Sequence, residues 1–232
     1  MIFMKKIIFK LIIILIFLLM IAFAVLFIIG YNYYSNALKQ KPLLECVKEI
    51  TSKEHFTKFD DLPEDYKNAV IAVEDHRYYD HGSVDFIGIL RAFYTNFKNK
   101  DLDEGGSTIT QQVAKNIIFN QDKSLKRKLG EIFAAHDLEK NYSKDEILAL
   151  YVNSSYFGDG YYSIYDASMG YYNKEPKDLS LAEASMLAGV PNAPSVYAPT
   201  VNPDLAKKRQ KHVLNKMVEY GYITSDEAEA VQ

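Results

Sequence analysis

The feature that most constrains this chain is an unbroken apolar run near its start. Residues Leu11 to Ile29 read LIIILIFLLMIAFAVLFII, nineteen residues without a polar or charged side chain. As a helix at about 1.5 Å per residue the run is about 28 Å long, which matches the hydrocarbon core of a bilayer. Three lysines precede it, and the next basic residue is Lys39. This charge bias predicts a transmembrane helix with a cytoplasmic N-terminus and places the residues after Gly30 outside the membrane.

Two alternatives to a retained anchor exist. A cleaved signal peptide is one, because Ser35 to Ala37 (SNA) resembles a small-x-small cleavage site. However, the apolar core of such signals usually has only about 7–15 residues. A buried core helix is the other, and it rarely lacks polar residues over such a length. We therefore predict a basic tail at 1–10 and a single N-terminal transmembrane anchor at 11–29.

The remainder of the chain has the composition of an acidic globular domain. Hydrophobic residues make up 48% of the chain and charged residues 25%, which argues against disorder. Without the three lysines of the tail, the formal charge of −3 becomes −6 for residues 31–232. This balance disfavours nucleic acid as a partner. Cys46 is the only cysteine, so no intrachain disulfide can form.

Helical patterns follow one another beyond residue 60. Phe86, Ile89, Leu90 and Phe93 recur at i, i+3, i+4 and i+7, and Ser-x-x-Glu capping boxes begin at positions 143 and 180. A further helix start is indicated in the GGST sequence, where either the serine or the threonine can act as the cap. Since no convincing strand pattern and no internal repeat is present, the chain is predicted to be mostly α.

The stretch AVIAVEDHRYYDHGSVDF, residues 69–86, holds four carboxylates and two histidines. It allows a metal site, an acid/base site or a polar helix end. His76 and His81 are five residues apart and point to different faces of a helix, so their spacing does not support a zinc cage. Glu74 ends an apolar helical run, where a carboxylate would sit in a cleft between buried surface and solvent. Taken alone, the stretch favours solvated charges, although acids are disfavoured at a helix C-terminus.

A basic cluster lies some forty residues downstream. Five lysines and arginines between Lys115 and Lys128 are opposed only by Asp122. In an acidic domain this local excess favours an anionic ligand such as phosphate, while a solvated basic helix face remains the alternative. The GGST sequence could present backbone N–H groups to an anion, although it lacks the Gly-Lys-Ser/Thr of a P-loop. Glu131 follows Arg127 by four residues, a spacing that an ordinary salt bridge also explains.

Four motifs now occur in a fixed order: EDHRYYDHG at 74–82, GGSTITQQVAKN at 105–116, RKLGE at 127–131 and KDEILALYVNSSYFG at 144–158. Their order and spacing resemble the peptidoglycan glycosyltransferases, which are the transglycosylase module of class A penicillin-binding proteins and their monofunctional relatives. The resemblance covers roughly residues 55–225, leaving 30–54 as a juxtamembrane linker and 226–232 as a tail. The chain stops where this module stops, so it is similar to the monofunctional form without a transpeptidase domain.

The resemblance implies a mostly α, lysozyme-like fold of two lobes around a long cleft, with the smaller lobe facing the membrane. The implied activity is polymerisation of lipid II into β-1,4-linked glycan strands by inverting glycosyl transfer, with release of undecaprenyl diphosphate outside the bacterial cell membrane. The growing glycan would be the donor and lipid II the acceptor. Further implied partners are the bilayer and a transpeptidase or the division or elongation machinery, all in cell-wall biogenesis.

The matched positions assign roles to individual residues. Glu74 matches the catalytic glutamate, the base for the acceptor 4-hydroxyl. Glu131 matches the second glutamate, which would organise the leaving diphosphate, with Mg²⁺ or Mn²⁺ as an allowed cofactor and no organic cofactor. The substrate-binding positions are Lys115, Lys123 and Arg127 for phosphate and Ser107, Gln111, Gln112 and Tyr78 for the donor cleft. Positions with a more structural role are Asp75, His81, Gly82, Gly106, Thr108, Asn116 and Asn153.

Some positions depart from the family pattern. Lys123 stands where relatives often have Arg, and Gly130 where some carry another Lys. Neither change removes a proposed catalytic group. Two other functions remain open: a lysozyme-like enzyme that cuts glycan, which has no use for a diphosphate-binding cluster, and an inactive membrane-anchored scaffold, which retention of both Glu74 and Glu131 disfavours.

Overall fold

The computed structural model of the chain describes residues 2–99, 105–119 and 124–231. Within these residues it contains α-helices and short 3-10 turns and no β-strand, which confirms the prediction of a mostly α fold. The helices are α1 (Ile2–Gln40), α2 (Leu43–Thr51), α3 (Glu64–Glu74), α4 (Phe86–Asn99), α5 (Ile109–Ile117), α6 (Leu125–Asn141), α7 (Lys144–Ser154), α8 (Ile164–Tyr172), α9 (Leu181–Gly189), α10 (Pro194–Tyr197), α11 (Pro203–Glu219) and α12 (Ser225–Val231).

The apolar run forms the first part of a much longer helix. α1 has 39 residues, and its segment from Lys5 is long and apolar enough, by length and composition, to cross a membrane. The helix continues past the predicted anchor to Gln40, and α2 follows after two residues with Cys46 and Val47 buried. The segment predicted as a linker, 30–54, is therefore helical to Gln40 and again over Leu43–Thr51, because its apolar side chains have a partner to pack against.

That partner is α6, which α1 crosses at two glycines. A Cβ atom on Gly30 would lie 2.8 Å from Leu129 Cβ, and one on Gly130 would lie 3.1 Å from Tyr33 Cδ1. The ring of Phe133 meets the rings of α1 around the crossing, with centroids 4.9 Å from Phe27 and 5.7 Å from Tyr31. The anchor is thus packed directly on the helix that carries the RKLGE motif.

The close crossing predicts a strong effect of a larger side chain at Gly30. We expect Gly30→Leu to lower the free energy of unfolding by about 1–3 kcal/mol, because extra methylene groups in a well-packed contact force neighbours to move. Urea unfolding of the full chain in detergent would measure this. Ala24→Leu introduces the same side chain at an exposed position of α1 and serves as the control. Equal stability of the two variants would contradict the crossing.

The helices α3, α5, α7, α9 and α11 form the centre of the fold. α3 packs on α9 and α11, and α5 packs on α6 and α7. The predicted capping boxes at Ser143 and Ser180 are confirmed, and Thr108, not Ser107, caps α5 in a third box with Gln111. These caps fix where α5, α7 and α9 begin. As a result, the ends of α3, α5 and α6 meet at one cleft.

Candidate active site

A cleft of about 410 Å³ opens where α3 ends and α5 and α6 begin, and side chains of α11 also line it. It gathers residues from both clusters that the sequence singled out. The polar and charged side chains along it include Glu74, Ser107, Gln111, Gln112, Lys115, Arg127, Lys128, Glu131, Asn192, Arg209, His212 and Lys216. The acidic stretch and the basic cluster are therefore parts of one site.

Glu74 sits in the wall of the cleft as the last residue of α3. Its Oε2 accepts a hydrogen bond from Gln112 Nε2 at 2.7 Å, and its Oε1 lies 3.8 Å from a guanidinium nitrogen of Arg209. Oε1 is buried and receives no hydrogen bond from the described residues. The carboxylate is thus held in place by an uncharged amide on one oxygen. Such a group can accept a proton from a hydroxyl that enters the cleft.

Three cations surround Glu131 on the α6 side of the cleft. Lys128 Nζ lies 2.8 Å from Glu131 Oε2 and also donates to Ser107 Oγ at 2.7 Å, while Arg127 pairs with the other oxygen of Glu131. Burial lowers the pKa of Lys115, and the carboxylate of Glu131 only partly offsets this effect. One buried carboxylate does not neutralise three cations. This side of the cleft is therefore positive and suited to an anion such as diphosphate.

The carboxylate of Asp75 connects the loop after α3 to the start of α5. Asp75 Oδ2 accepts from the backbone N–H of Ile109 at 3.1 Å, at the start of α5, and Oδ1 lies 2.7 Å from His81 Nε2. Burial alone would lower the pKa of His81, but its hydrogen bonds to Asp75 and to the Gly82 carbonyl outweigh burial and raise it. The loop therefore fixes the end of α3, and with it Glu74, against α5.

This pair predicts a pH-dependent stability. The raised pKa of His81 contributes stability that is fully present below its ordinary value of about 6.5 and is lost as the pH rises through the folded-state value. We expect the loss of unfolding free energy in His81→Gln to be larger at pH 5.5 than at pH 8.5. Chemical denaturation at both pH values measures it. His136→Gln, at an exposed position of α6, is the control; an equal loss at both pH values would contradict the pairing.

Comparison with known proteins places the chain in a family. Residues 41–218 match the family model described as Transglycosylase. The chain belongs to the transglycosylase family. The match begins at residue 41, inside the segment predicted as a linker. The helical architecture of the described residues is consistent with the lysozyme-like transglycosylase domain.

The relatives of this transglycosylase are larger penicillin-binding proteins. It is 49% identical over 172 residues to Penicillin-binding protein 1A of Neisseria flavescens, which covers 74% of this chain and 22% of the relative. It is 43% identical over 188 residues to Penicillin-binding protein 1F of Bacillus subtilis, covering 81% and 26%. The chain thus spans about a quarter of the length of these curated relatives or less. A crystal structure of Penicillin-binding protein 1A from Haemophilus influenzae aligns with 53% of this chain and 15% of its own at 25% identity, with a TM-score of 0.37.

The transglycosylase site differs from the sequence-based expectation at Tyr78. Its side chain is fully buried, its hydroxyl donates to the Lys144 carbonyl at 2.6 Å, and it does not line the cleft. The expectation that Tyr78 contacts the donor is therefore corrected: the ring is a core residue under the loop. Lys123 lies outside the described residues, so its role stays a prediction. Gln111 lies at the cleft, but its side-chain oxygen accepts from Thr108 N in the capping box.

Of the positions expected to be structural, Asp75 lines the cleft and the others lie around it. Asn153 is buried on α7, where it accepts from Thr57 N at 2.9 Å and donates to the Thr57 carbonyl. Gly82 lies in the loop after α3, and Gly106 lies in the segment that leads to α5. Asn116 faces a separate groove between α1, α2 and α5.

Sequence reasoning missed several residues of the cleft. Lys128 belongs to the basic cluster, for which a solvated helix face was the alternative, and His212 was not singled out, yet both lie at the cleft. Arg209 comes from α11, more than a hundred residues after Glu74. The only signal for this contact was the position of Arg209 in α11, the last long helix. Contacts between distant segments leave no local pattern in a sequence.

The residues present give poor support to a divalent cation at Glu131. Both of its oxygens are paired with cations, and a further cation, Lys115, is close enough to interact with it. A second group, Asp75, His81 and Asp85, has its candidate ligand atoms within 4.8 Å of one another. Those atoms are already engaged, since Asp85 pairs with Arg77. The expectation of Mg²⁺ or Mn²⁺ at Glu131 stays a prediction.

Proposed function

We propose that this transglycosylase polymerises lipid II into β-1,4-linked glycan strands and releases undecaprenyl diphosphate. The observation that carries the proposal is the shared cleft, because Glu74 lines the same space as Lys115, Arg127 and Lys128. A glycosyl transfer with a diphosphate leaving group needs both a base and a positive site. The relatives named Penicillin-binding protein 1A support the same activity.

The proposed reaction is a single displacement at the anomeric carbon of the donor. Glu74 takes the proton from the 4-hydroxyl of the acceptor lipid II while that oxygen forms a bond to the carbon. The bond between the carbon and the diphosphate oxygen breaks, and its electron pair leaves on the diphosphate. Attack on one face and departure from the other inverts the α-linked donor to a β-1,4 linkage. Separate groups for the two events suit such an inversion, by analogy with inverting hydrolases.

The leaving diphosphate is stabilised by fixed positive charge. Lys115 and Arg127 match the phosphate positions of the family, and Lys128 is held beside them by Ser107. Glu131 keeps the side chains of Arg127 and Lys128 in place through two ion pairs. Charge that is already oriented costs no reorganisation when the leaving group becomes negative. In this role Glu131 acts on the cations rather than on the sugar.

The apolar surface of the domain supports a substrate that is anchored in lipid. Phe86, Ile87 and Leu90 of α4 are more than half exposed, and so is Leu125 at the start of α6. Arg91 of α4 lines the cleft, and α1 packs against α6. We infer a bacterial membrane protein with a cytoplasmic N-terminus. Its cleft opens just above the outer surface of the membrane. There a transpeptidase or the division or elongation machinery can reach the product.

One assay tests the proposal against the two alternative functions. Purified full-length protein in detergent is incubated with labelled lipid II, and the products are separated by length. Long strands with release of undecaprenyl diphosphate support polymerisation. Cleavage of preformed glycan without polymer would favour a lytic enzyme, and neither product from folded protein would favour a scaffold.

A further inference from the structure

Two tyrosines stand side by side on the surface, at the turn between α7 and α8. The ring centroids of Tyr156 and Tyr162 are 4.6 Å apart, and their planes are inclined by 31°. Tyr156 is 37% exposed and Tyr162 is 59% exposed. Single exposed apolar residues are ordinary on a protein surface, whereas adjoining exposed rings are typical of a binding site. We call these two residues the tyrosine pair.

The turn that carries the tyrosine pair has a closely defined backbone. Gly158, Asp159 and Gly160 have φ angles of 84°, 50° and 85°. Asp159 therefore occupies the left-handed region, which residues other than glycine rarely use. The N–H of Tyr161 donates to the Gly158 carbonyl at 2.8 Å and closes the turn, and the N–H of Gly160 donates to the Tyr156 hydroxyl at 3.4 Å. Since the rings are already held in place, a ligand that binds them immobilises little further side-chain motion.

The same turn packs against a segment that borders the cleft. A Cβ atom on Gly158 would lie 2.8 Å from Ala198 Cβ and 3.2 Å from the carbonyl oxygen of Pro194. Pro194 is the first residue of α10, and Asn192, which lines the cleft, is two residues before it. Two residues of chain span at most about 7 Å. The turn is therefore a close neighbour of the cleft, although neither tyrosine lines it.

The composition of the turn favours an uncharged ligand. Residues 154–172 contain no lysine or arginine, and their two charged side chains, Asp159 and Asp166, are acidic and exposed. Anionic lipid surfaces attract basic segments, so this segment is unsuited to a membrane or to a phosphate group. A neutral sugar offers hydroxyl groups to the phenols and a flat face of C–H groups to the rings. Tyrosine, with an apolar ring and a polar hydroxyl, suits both parts.

We propose that the tyrosine pair binds sugar rings of the glycan strand outside the cleft. Tyr162 supports one sugar, because one side of its ring faces Tyr156 and most of the side chain is exposed. The proposal rests on the proposed function, since a growing strand becomes longer than a cleft of about 410 Å³ can hold. Contact with the pair keeps the strand on the protein between successive additions, so that the strand is extended rather than released.

The first measurement is the affinity for a short, uncharged glycan. The full chain, with ¹³C in its tyrosine rings and inserted in lipid nanodiscs, is titrated with a hexamer of β-1,4-linked N-acetylglucosamine and followed by NMR. Tyr156→Phe and Tyr162→Phe identify the two ring signals by their loss, and we expect both signals of the wild type to shift with the hexamer.

The variants then separate the pair from other exposed rings. In Tyr162→Ala the dissociation constant, read from the signal of Tyr156, should rise by about threefold to tenfold, as for the loss of one aromatic contact. Tyr162→Phe keeps the ring and should retain most of the affinity. Tyr79→Ala is the matched control, because it removes an exposed tyrosine from the loop after α3, and it should leave the dissociation constant unchanged. Thermal unfolding checks that all variants remain folded.

The length of the polymer provides the second measurement. With labelled lipid II, Tyr162→Ala should lose the longest strands, while Tyr79→Ala should give strands of wild-type length. An unchanged dissociation constant in Tyr162→Ala overturns the proposal, and so does an equal rise in Tyr79→Ala. Broadening of the Tyr162 signal by spin-labelled lipid in the nanodisc also overturns it, since the pair would then contact the bilayer. If the wild-type protein made no polymer, the proposed function would fail, yet the titration with the hexamer would still decide whether the tyrosine pair binds glycan.

Discussion

Replacement of Glu74 by glutamine is expected to lower the rate of lipid II polymerisation by about a hundredfold to ten-thousandfold, the usual contribution of a general base. The amide has nearly the same volume but cannot take the proton of the 4-hydroxyl. Its carbonyl oxygen can still accept the hydrogen bond of Gln112, so the geometry of the cleft is preserved. Steady-state rates on labelled lipid II, read from the amount of polymer formed, measure the effect.

The same variant should stay fully folded. Glu74 Oε1 is buried without a hydrogen bond from the described residues, and its ionic contact with Arg209 is 3.8 Å long. Removal of a buried charge with so weak a partner is not expected to cost stability. Glu64→Gln is the matched control, since Glu64 begins the same helix with an exposed side chain. Normal polymerisation by Glu74→Gln, or an equal loss in Glu64→Gln, would show that the base is another residue.

Features encoded by neighbouring residues could be predicted from the sequence. The anchor follows from nineteen apolar residues, and the starts of α5, α7 and α9 follow from caps within three positions of each other. Glu74 could be singled out because it ends an apolar helical run. The ordered motifs then supplied the family, which the match over residues 41–218 confirms.

Features that depend on distant contacts could not be predicted. Gly130 stands where some relatives carry a lysine, and nothing in the sequence explained the glycine. It lies where α1 crosses α6, and a side chain there would contact the ring of Tyr33. Tyr78 was predicted to contact the donor because it lies in a motif. Its hydroxyl instead donates to the main-chain carbonyl of Lys144, 66 positions later in the chain. Arg209 reaches Glu74 from the far end of the chain. Each of these roles is set by packing between segments whose sequences carry no sign of one another.

Replacement of Lys115 by methionine is expected to lower kcat by about a hundredfold to a thousandfold, the usual effect of losing one fixed group that stabilises developing charge. Methionine keeps most of the length and apolar surface of the side chain and removes the cation. Because Lys115 is the cation of the cleft whose pKa is lowered by burial, its charge is costly to the folded state, and the variant should be as stable as the wild type or more so. The affinity for the diphosphate of the donor should fall as well.

The control for Lys115→Met is Lys126→Met, which removes an exposed cation of the same basic cluster that does not line the cleft. A loss of similar size in both variants would mean that general positive charge, rather than a defined diphosphate site, supports the reaction.

The lowered pKa of Lys115 also predicts an alkaline limit to activity. A lysine binds its proton only below its pKa, so a lowered value removes this cation at a pH where an ordinary lysine, at about 10.4, is still charged. The guanidinium of Lys115→Arg keeps its charge throughout. Turnover of the wild type should therefore fall between neutral pH and about pH 10, while that of Lys115→Arg falls less relative to its own neutral value. Parallel profiles for the two proteins would show that the alkaline limit arises at a group other than Lys115. A flatter profile for the arginine variant would link the limit to Lys115, whose charge interacts with both Glu74 and Glu131.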